Sequence, residues 1–474
     1  MEKRNPCIAM VPSPGFSHLT PLIEFAKRLA VHLPHFHFTF LILTLGPPAP
    51  AAPSILQSLP PHIDFIILPH VDKNDIPHSA IHPATQIHQT VILSLPSLSQ
   101  ALSSLSSQNQ LVAIIADVFS VDVLEIAKHQ FNLKSYVFFP MAVTTLCFCL
   151  KFPELDEDHE MVSTGFRDLS QPLKLPGCVA FQGKDLFDTV QERSSESYKT
   201  VLHLCKRLDF AESIIVNSFQ ELEPEVTRAL KESNNKCPPV YPLGPILQIG
   251  QTSKNESDSE CLKWLDKQPR NSVLFVSFGS GGTLSLEQLH ELALGLEMSG
   301  HKFLWVVRAP SESSFSAYLS SKQEDPLDYL PKGFIERTKD QGLVVPSWAP
   351  QIEVLKHEST GGFLTHCGWN STLESIVHGK PMIVWPLFAE QRMNAVLITE
   401  ELKIAVRPKE NENKNHGIVE KEEVSRIVKS VMEGDEGREI RTRIQVYKDA
   451  AAKAISEDGS STKTLSCLSL EWKI

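Results

Sequence analysis

The sequence predicts an α/β protein made of two consecutive doubly wound domains, each built on a parallel sheet. Three observations carry this reading. The chain has 474 residues, more than one core organises at ~100–200 residues per domain. Short apolar runs of strand type alternate with helical periodicities through both halves. Between the two alternating series, Pro238-Pro239, Pro242 and Gly244-Pro245 interrupt regular structure, and the polar run Gln251 to Glu260 reads as a solvated linker.

The first series opens with Cys7 to Val11 as a short strand. Thr20-Pro21 opens a helix through Leu29, with Leu22, Ile23, Phe25, Ala26 and Leu29 on its apolar side. Phe38 to Leu43 and Ile63 to Leu68 are strand-like, and Val91 to Leu105 is helical. Leu111 to Ala116 is a buried-type strand that ends at Asp117, followed by a helix over Val121 to His129 and a strand over Ser135 to Phe139. Residues 151 to 200 are less regular; Ile214 to Asn217 is one more strand and Glu221 to Leu230 a helix. The second series takes Val273 to Phe278 as strand, Leu286 to Met298 as helix and Phe303 to Val307 as strand. A Ser-rich loop from Ser311 to Ser321 and a strand over Leu343 to Val345 follow. Two amphipathic helices, Lys421 to Met432 and Arg438 to Ser456, come last.

Composition narrows the class. The chain is 42% hydrophobic and 21% charged, with a net charge of −11 and a pI of about 5.9. That balance opposes a nucleic-acid or anionic-membrane surface. The nine cysteines include no CxxC pair, and Cys147-x-Cys149 lies in an apolar run where core packing is the plainer reading. Lys3-Arg4 lead straight into a strand without a cleavable apolar region, so reduced thiols and a cytoplasmic location are expected. No apolar run reaches the ~18 residues that cross a bilayer.

The stretch from Trp348 to Gln391 carries the most chemistry. Gly361 to Thr365 enters a short apolar strand, His366 to Ser371 is a polar turn, and Thr372 to Val377 runs as a helix until Gly379-Lys380-Pro381 stops it. Asn370 and Ser371 stand where a helix begins, a place that suits phosphate because the first turn offers N–H groups and a partial positive charge. His366 can add a donor. Pro381 to Leu387 reads as the next strand, ending in Phe388-Ala389-Glu390-Gln391. A carboxylate beside a carboxamide at a strand end can take several sugar hydroxyls. Trp348 can stack on a planar base.

A second pair lies in the first series. His18 falls in the loop after the first strand, and Asp117 ends another strand of the same sheet. Strand ends of one doubly wound sheet converge at one edge, so the two can meet. A carboxylate on one imidazole nitrogen fixes the tautomer and stabilises the imidazolium, leaving the other nitrogen to take a proton. On residue type alone, an ordinary loop histidine and an ordinary strand-end carboxylate are the commoner readings.

The block from Trp348 to Gln391, 44 residues without a gap, resembles the signature box of plant secondary-product glycosyltransferases, the plant branch of glycosyltransferase family 1. The resemblance extends over the chain. Met10 to Gly15 with His18 resembles the family's N-terminal motif, and Phe275 to Gly282 the first strand of its donor domain. Leu175-Pro176-Gly177-Cys178, Gly183-Lys184-Asp185 and Asp458 to Lys463 look like the hydroquinone (arbutin-forming) and related phenol glucosyltransferases. Phe16-Ser17 before His18 departs from the Met-Gly usual in close relatives, as does the His-rich stretch from His62 to His88.

The resemblance implies the GT-B fold, two Rossmann-like doubly wound parallel-sheet domains facing across a cleft. Residues 1–245, joined by a C-terminal helix over 455–474, would bind the acceptor, and 246–454 the UDP-sugar. It implies inverting transfer of glucose from UDP-glucose to a hydroxyl of a small phenol, giving a β-O-glucoside, with His18 as general base and Asp117 as its support. Donor binding falls on Ser280, Trp348, Ala349, Gln351, His366, Trp369, Asn370, Ser371, Glu374, Glu390 and Gln391. Gln391 at the last box position goes with glucose in the family, where His favours galactose. Without the family, Glu374 reads as a surface helix carboxylate and Trp369 as a core anchor. Phe16, Phe119 and Phe148 are candidate acceptor walls, with ordinary core packing the alternative for each. No cofactor and no metal are expected, UDP-glucose being the co-substrate. The enzyme is expected to act as a monomer, with no nucleic acid and no membrane insertion.

Other signals fail on spacing. Gly279-Ser280-Gly281 begins like a dinucleotide fingerprint, but Leu284 stands where the third glycine belongs. Gly183-Lys184 and Gly379-Lys380 lack Walker A spacing, and no GxSxG elbow is present. Asp156-Glu157-Asp158 reads as a solvated acidic loop rather than a metal-binding DxD. His35, His37, His62, His70, His78, His82 and His88 lack consistent ligand spacing, so loop and pocket-rim positions are expected. Two alternatives stand beside the transferase. One is a catalytically silent nucleotide-sugar-binding protein of the same fold, disfavoured by the intact His18, Asp117, Glu390 and Gln391. The other is a nicotinamide-dependent reductase, disfavoured by the failed fingerprint.

Overall fold

Strand-type runs that are apolar on both faces pair in parallel here, because helices cover each side of the sheet. The structure, a computed structural model, describes residues 5–46, 59–158, 165–233, 237–248, 260–314, 325–410 and 417–472. The chain divides into two compact units, one of residues 1–249 with 453–474, the other of residues 250–452.

The first unit contains β1 (Pro6–Val11), α1 (Phe16–His32), β2 (His37–Ile42), β3 (Ile63–Ile67), α2 (Pro83–Gln108), β4 (Gln110–Asp117), α3 (Asp122–Phe131), β5 (Lys134–Phe139), α4 (Val143–Glu157), α5 (Glu196–Arg207), β6 (Ser213–Val216), α6 (Pro224–Lys231) and β7 (Val240–Pro242). Its seven strands run in the order β3-β2-β1-β4-β5-β6-β7, all pairs parallel. Chain direction along the sheet reverses between β1 and β4, so their C-terminal ends flank the switch point where open α/β sheets place their sites. Val11 pairs with Ala116 there, which sets the loop after β1 beside Asp117. Phe25, Phe38, Phe40, Tyr136 and Phe138 fill the core beneath.

The second unit contains α7 (Glu260–Leu265), β8 (Val273–Ser277), α8 (Leu286–Ser299), β9 (Lys302–Val307), α9 (Phe334–Thr338), β10 (Gly342–Pro346), α10 (Gln351–Lys356), β11 (Thr360–Thr365), α11 (Trp369–His378), β12 (Met382–Val384), α12 (Gln391–Val396), β13 (Ala405–Val406), α13 (Lys421–Met432) and α14 (Asp435–Ala454). Its order is β10-β9-β8-β11-β12-β13, again all parallel, with the switch between β8 and β11. The division between units falls inside α14. The last helix, α15 (Ser460–Leu470), belongs to the first unit, where Leu465, Leu468 and Trp472 join the core.

Several expectations need correction. The first helix begins at Phe16 rather than Thr20, because Leu19 N–H already bonds the Gly15 carbonyl at 3.2 Å and Pro21 is accommodated inside. The prolines at 238–245 do not exclude a strand: β7 forms at the sheet edge, where a proline costs no shared ladder bond. The irregular 151–200 region holds the end of α4 and the start of α5. Pro381 to Leu387 is strand only over Met382–Val384. Asp156 and Glu157 are helical, and Asp156 accepts from Tyr198 Oη at 2.8 Å and pairs with Arg193 at 3.0 Å, so it is a helix-end anchor rather than a solvated loop. The linker over Gln251 to Ser259 and most of the Ser-rich loop lie outside the described residues; Glu260 opens α7.

In the second unit α8 and α13 pack closely. Gln288 exchanges two hydrogen bonds with the Val419 backbone at 2.9 Å each, and Glu291 accepts from Lys421 N–H at 2.7 Å at the start of α13. Gly295 makes the approach possible, since a Cβ there would lie 2.4 Å from Val424 Cβ and 2.8 Å from the Lys421 carbonyl oxygen. Gly295→Val is therefore expected to destabilise this unit by about 1–3 kcal/mol, read as a lowered unfolding midpoint in denaturant titration; an unchanged midpoint would show that the helices separate freely.

Candidate active site

At the first switch point, Asp117 is completely buried. Its Oδ2 lies 2.9 Å from His18 Nδ1, and its Oδ1 accepts from the Ser13 hydroxyl and, at 3.1 Å, from Phe119 N–H. Three donors, Ser13 and Phe119 N–H from two strand-end loops and His18 from the first turn of α1, thus hold one carboxylate. His18 is not in a loop: it lies in the first turn of α1, because the helix starts at Phe16. The helix fixes its backbone, and Asp117 fixes its ring. With Nδ1–H donated to Asp117, Nε2 keeps its lone pair. The Phe119 ring meets the imidazole edge-on, centroids 5.5 Å apart.

The other acceptor candidates fall differently. Phe16 opens α1, and its side chain lies outside the described residues. Phe148 is fully buried in an aromatic cluster with Phe152, Phe166 and Phe187, centroids 5.2–5.7 Å away. Of the two whose side chains are described, Phe119 is the one with a ring contact to His18.

The second switch point gathers most of the box. Ser277 and Thr365 pair at the ends of β8 and β11, so the turn Gly279-Ser280 and His366 come from adjacent strands. Ser280 is exposed. Gly279 has φ +73°, and a Cβ on it would lie 2.6 Å from the His366 ring; one on Gly368 would lie 2.5 Å from Nε2 of the same ring. The imidazole is clamped between two glycines. Burial, with the nearby Arg308 charge, pushes His366 down to about 4, so at neutral pH it is an uncharged imidazole. Its Nδ1 has no hydrogen-bond partner among the described residues, an arrangement typical of a group that meets its partner in a ligand.

α11 starts at Trp369, so Asn370 and Ser371 are its second and third residues rather than turn residues. The first helical bond is Thr372 N–H to the Gly368 carbonyl at 3.0 Å. Trp369 is buried and anchors the helix. Gln351 bridges the two helices, donating to Ser371 Oγ at 2.8 Å and Glu374 Oε2 at 2.7 Å. Glu374 is pushed up to about 7 by burial, against the Gln351 hydrogen bond. Ala349 is buried beneath, whereas Trp348 is 60% exposed. Glu390 precedes α12 and accepts from Asn394 at 3.2 Å. Gln391 is helical and buried, and its carbonyl oxygen accepts from Leu387 and Phe388 N–H at 2.8 and 3.1 Å. Its NH2 is thus the end suited to a sugar hydroxyl.

Three features escaped sequence reasoning. Ser13 is the third donor to Asp117. Arg308, half-buried just past β9, donates from Nε to the Gly279 carbonyl at 3.1 Å and holds the Gly-rich turn; a lone charge ending the apolar run Phe303 to Val307 was the available signal. Ser347, Cys367 and Ala389 adopt φ of +64°, +66° and +54°. These left-handed non-glycine residues immediately precede Trp348, Gly368 and Glu390, and such strain gathers at functional sites.

Two parallel, doubly wound units with polar groups at both switch points match the GT-B class of glycosyltransferases, to which the similar solved structures belong. The family model described as "UDP-glucoronosyl and UDP-glucosyl transferase" matches residues 235–450. The chain is 50% identical to UDP-glycosyltransferase 72B1 of Arabidopsis thaliana, covering 100% of this chain and 97% of the relative. It is 49% identical to hydroquinone glucosyltransferase of Rauvolfia serpentina, covering 99% and 98%. The structure of Phytolacca americana UGT2 with UDP-2-fluoro-glucose and pterostilbene superposes with a TM-score of 0.90 at 48% identity, covering 98% of this chain and 99% of that one. The chain belongs to the plant family 1 UDP-glycosyltransferases and is a UDP-sugar glycosyltransferase. Among the described residues no helix is long and apolar enough to cross a membrane.

Glu374 gives a pH signature. Its folded pKa lies above the ordinary glutamate value of 4.5, so the folded state binds the proton more tightly. The stabilisation is complete below about 4.5 and is lost as pH rises through about 7. In the absence of nucleotide the second unit is expected to lose stability over that window, and Glu374→Gln to flatten the loss; parallel curves for the two proteins, measured by thermal melting, would contradict this.

Proposed function

We propose that the enzyme transfers glucose from UDP-glucose to a hydroxyl of a small phenolic acceptor with inversion, giving a β-O-glucoside. Support comes from the His18–Asp117 pair at 2.9 Å and from relatives named for hydroquinone and bound to pterostilbene. The first unit supplies the acceptor side. Nε2 of His18 removes the hydroxyl proton as the oxygen attacks the anomeric carbon, and Asp117 stabilises the imidazolium that forms. A phenol near pKa ~10 gives up its proton to imidazole more readily than an alkanol does. Phe119 is the acceptor wall beside the base.

The second unit holds the donor. Trp348 stacks on uracil, Ala349 and Gln351 frame the nucleoside, and Glu374 takes the ribose hydroxyls. Ser280, His366 and the start of α11 at Trp369, Asn370 and Ser371 meet the diphosphate, whose growing charge in the transition state the helix terminus stabilises. A neutral His366 donates a hydrogen bond without adding charge. Glu390 and Gln391 hold the sugar hydroxyls, Gln391 selecting glucose. Direct displacement needs no enzyme nucleophile and no metal in the transfer step.

The test is UDP release from UDP-glucose against a panel of phenols, with EDTA present. Acceptor-dependent release is expected to persist in EDTA and to fall at least ~100-fold in His18→Ala, while UDP binding by calorimetry stays within a factor of two or so. Near-normal turnover by His18→Ala overturns the base assignment. No release with any phenol, despite UDP-glucose binding, supports the silent binder instead. UDP affinity is also expected to weaken as pH falls through about 7, because the carboxylate is the better acceptor for ribose hydroxyls; a pH-independent affinity would remove Glu374 from that role.

A further inference from the structure

We propose that His88, Asp122 and His203 form a binding site for one divalent transition ion of the zinc class, separate from the residues assigned above to transfer. The histidine-rich stretch was expected at loops and rims, but His88 lies inside α2 and is buried. Its Nε2 is 3.0 Å from Asp122 Oδ2 on α3, and Nε2 of His203 on α5 is 2.9 Å from the other oxygen, Oδ1. One ligand atom from each residue lies within 4.8 Å of the others, and the two rings are 5.1 Å apart. Two imidazoles thus turn the same nitrogen toward opposite oxygens of one carboxylate.

Two imidazoles and a carboxylate are a donor set for zinc and its neighbours. A tetrahedral ion with bonds of about 2.0–2.1 Å separates adjacent ligand atoms by about 3.3 Å; each Nε2 already lies 2.9–3.0 Å from one Asp122 oxygen, and the three ligand atoms lie within 4.8 Å of one another. Three helices carry them, so little order has to be created on binding. His203, with 43% of its side chain exposed, opens the site to solvent. On binding, the ion takes both Nε2 lone pairs and one Asp122 oxygen, each imidazole proton moves to Nδ1, and water completes the shell.

Arg207 opposes the ion. Its Nε is 3.0 Å from Asp122 Oδ1, and its second nitrogen pairs with Glu125 at 2.5 Å. A fixed positive charge beside a ligand carboxylate weakens cation binding. That opposition separates a metal site from a helix clamp, for which Arg207 would be purely favourable.

The experiment titrates the full-length protein with Zn2+ by calorimetry, and with Co2+ followed by its visible absorption, in a Cys467→Ser background that removes the exposed thiol. One ion per chain is expected, bound about tenfold or more weakly by His203→Ala and more tightly by Arg207→Met. Metal-free melting confirms that each variant is folded, and His88→Gln provides a second ligand deletion. Absence of saturable binding, equal affinity in wild type and His203→Ala, or no tightening in Arg207→Met would overturn the site. UDP release is measured alongside: the base assignment fails only if His18→Ala turns over, whatever the ion does.

Discussion

A buried carboxylate with no positive partner is costly, and Asp117 avoids that cost only by gathering donors from two loops at once. Ser13 from the loop after β1, Phe119 N–H from the turn after β4 and His18 from α1 all converge on it. The parallel pairing of β1 with β4 brings those loops together. The geometry of the imidazole is therefore a consequence of the sheet's switch point. The mechanism proposed here uses a histidine whose ring is set before any substrate arrives.

The second unit solves a related problem by close approach. His366 is enclosed because Gly279 and Gly368 leave it the space a Cβ would take, and Arg308 holds the Gly279 carbonyl. Left-handed Ser347, Cys367 and Ala389 turn the chain sharply at the residues that precede the site. Gln351, Ser371 and Glu374 are joined to one another. Rigidity of this kind means little reorganisation as charge develops on a leaving group.

Much of this was legible in the sequence, for physical reasons. The buried parallel strands are continuous apolar runs, so Val273 to Phe278 and Phe303 to Val307 announced β8 and β9 nearly to the residue. Lys421 to Met432 matched α13 because its apolar stripe is strictly periodic. Helix starts were less legible. α1 begins at Phe16 and α2 at Pro83, where the deciding contacts are a Gly15 carbonyl bond and a His82 side-chain cap, neither visible as periodicity. The polar partners were the least legible: Ser13, Arg308 and the His88–Asp122–His203 group join segments 29 to 115 positions apart. Spacing along the chain carries no trace of such convergence, which is why scattered histidines read as rim residues.

The tautomer of His18 is the most direct test of the central claim. Full-length protein labelled with 15N at histidine, with His18→Gln used to assign the signal, reports which ring nitrogen carries the proton. The expected result is a proton on Nδ1, directed at Asp117, with Nε2 unprotonated near neutral pH, and loss of that preference in Asp117→Ala. A proton on Nε2 in the free enzyme, unchanged by Asp117→Ala, would contradict a base poised by the buried carboxylate.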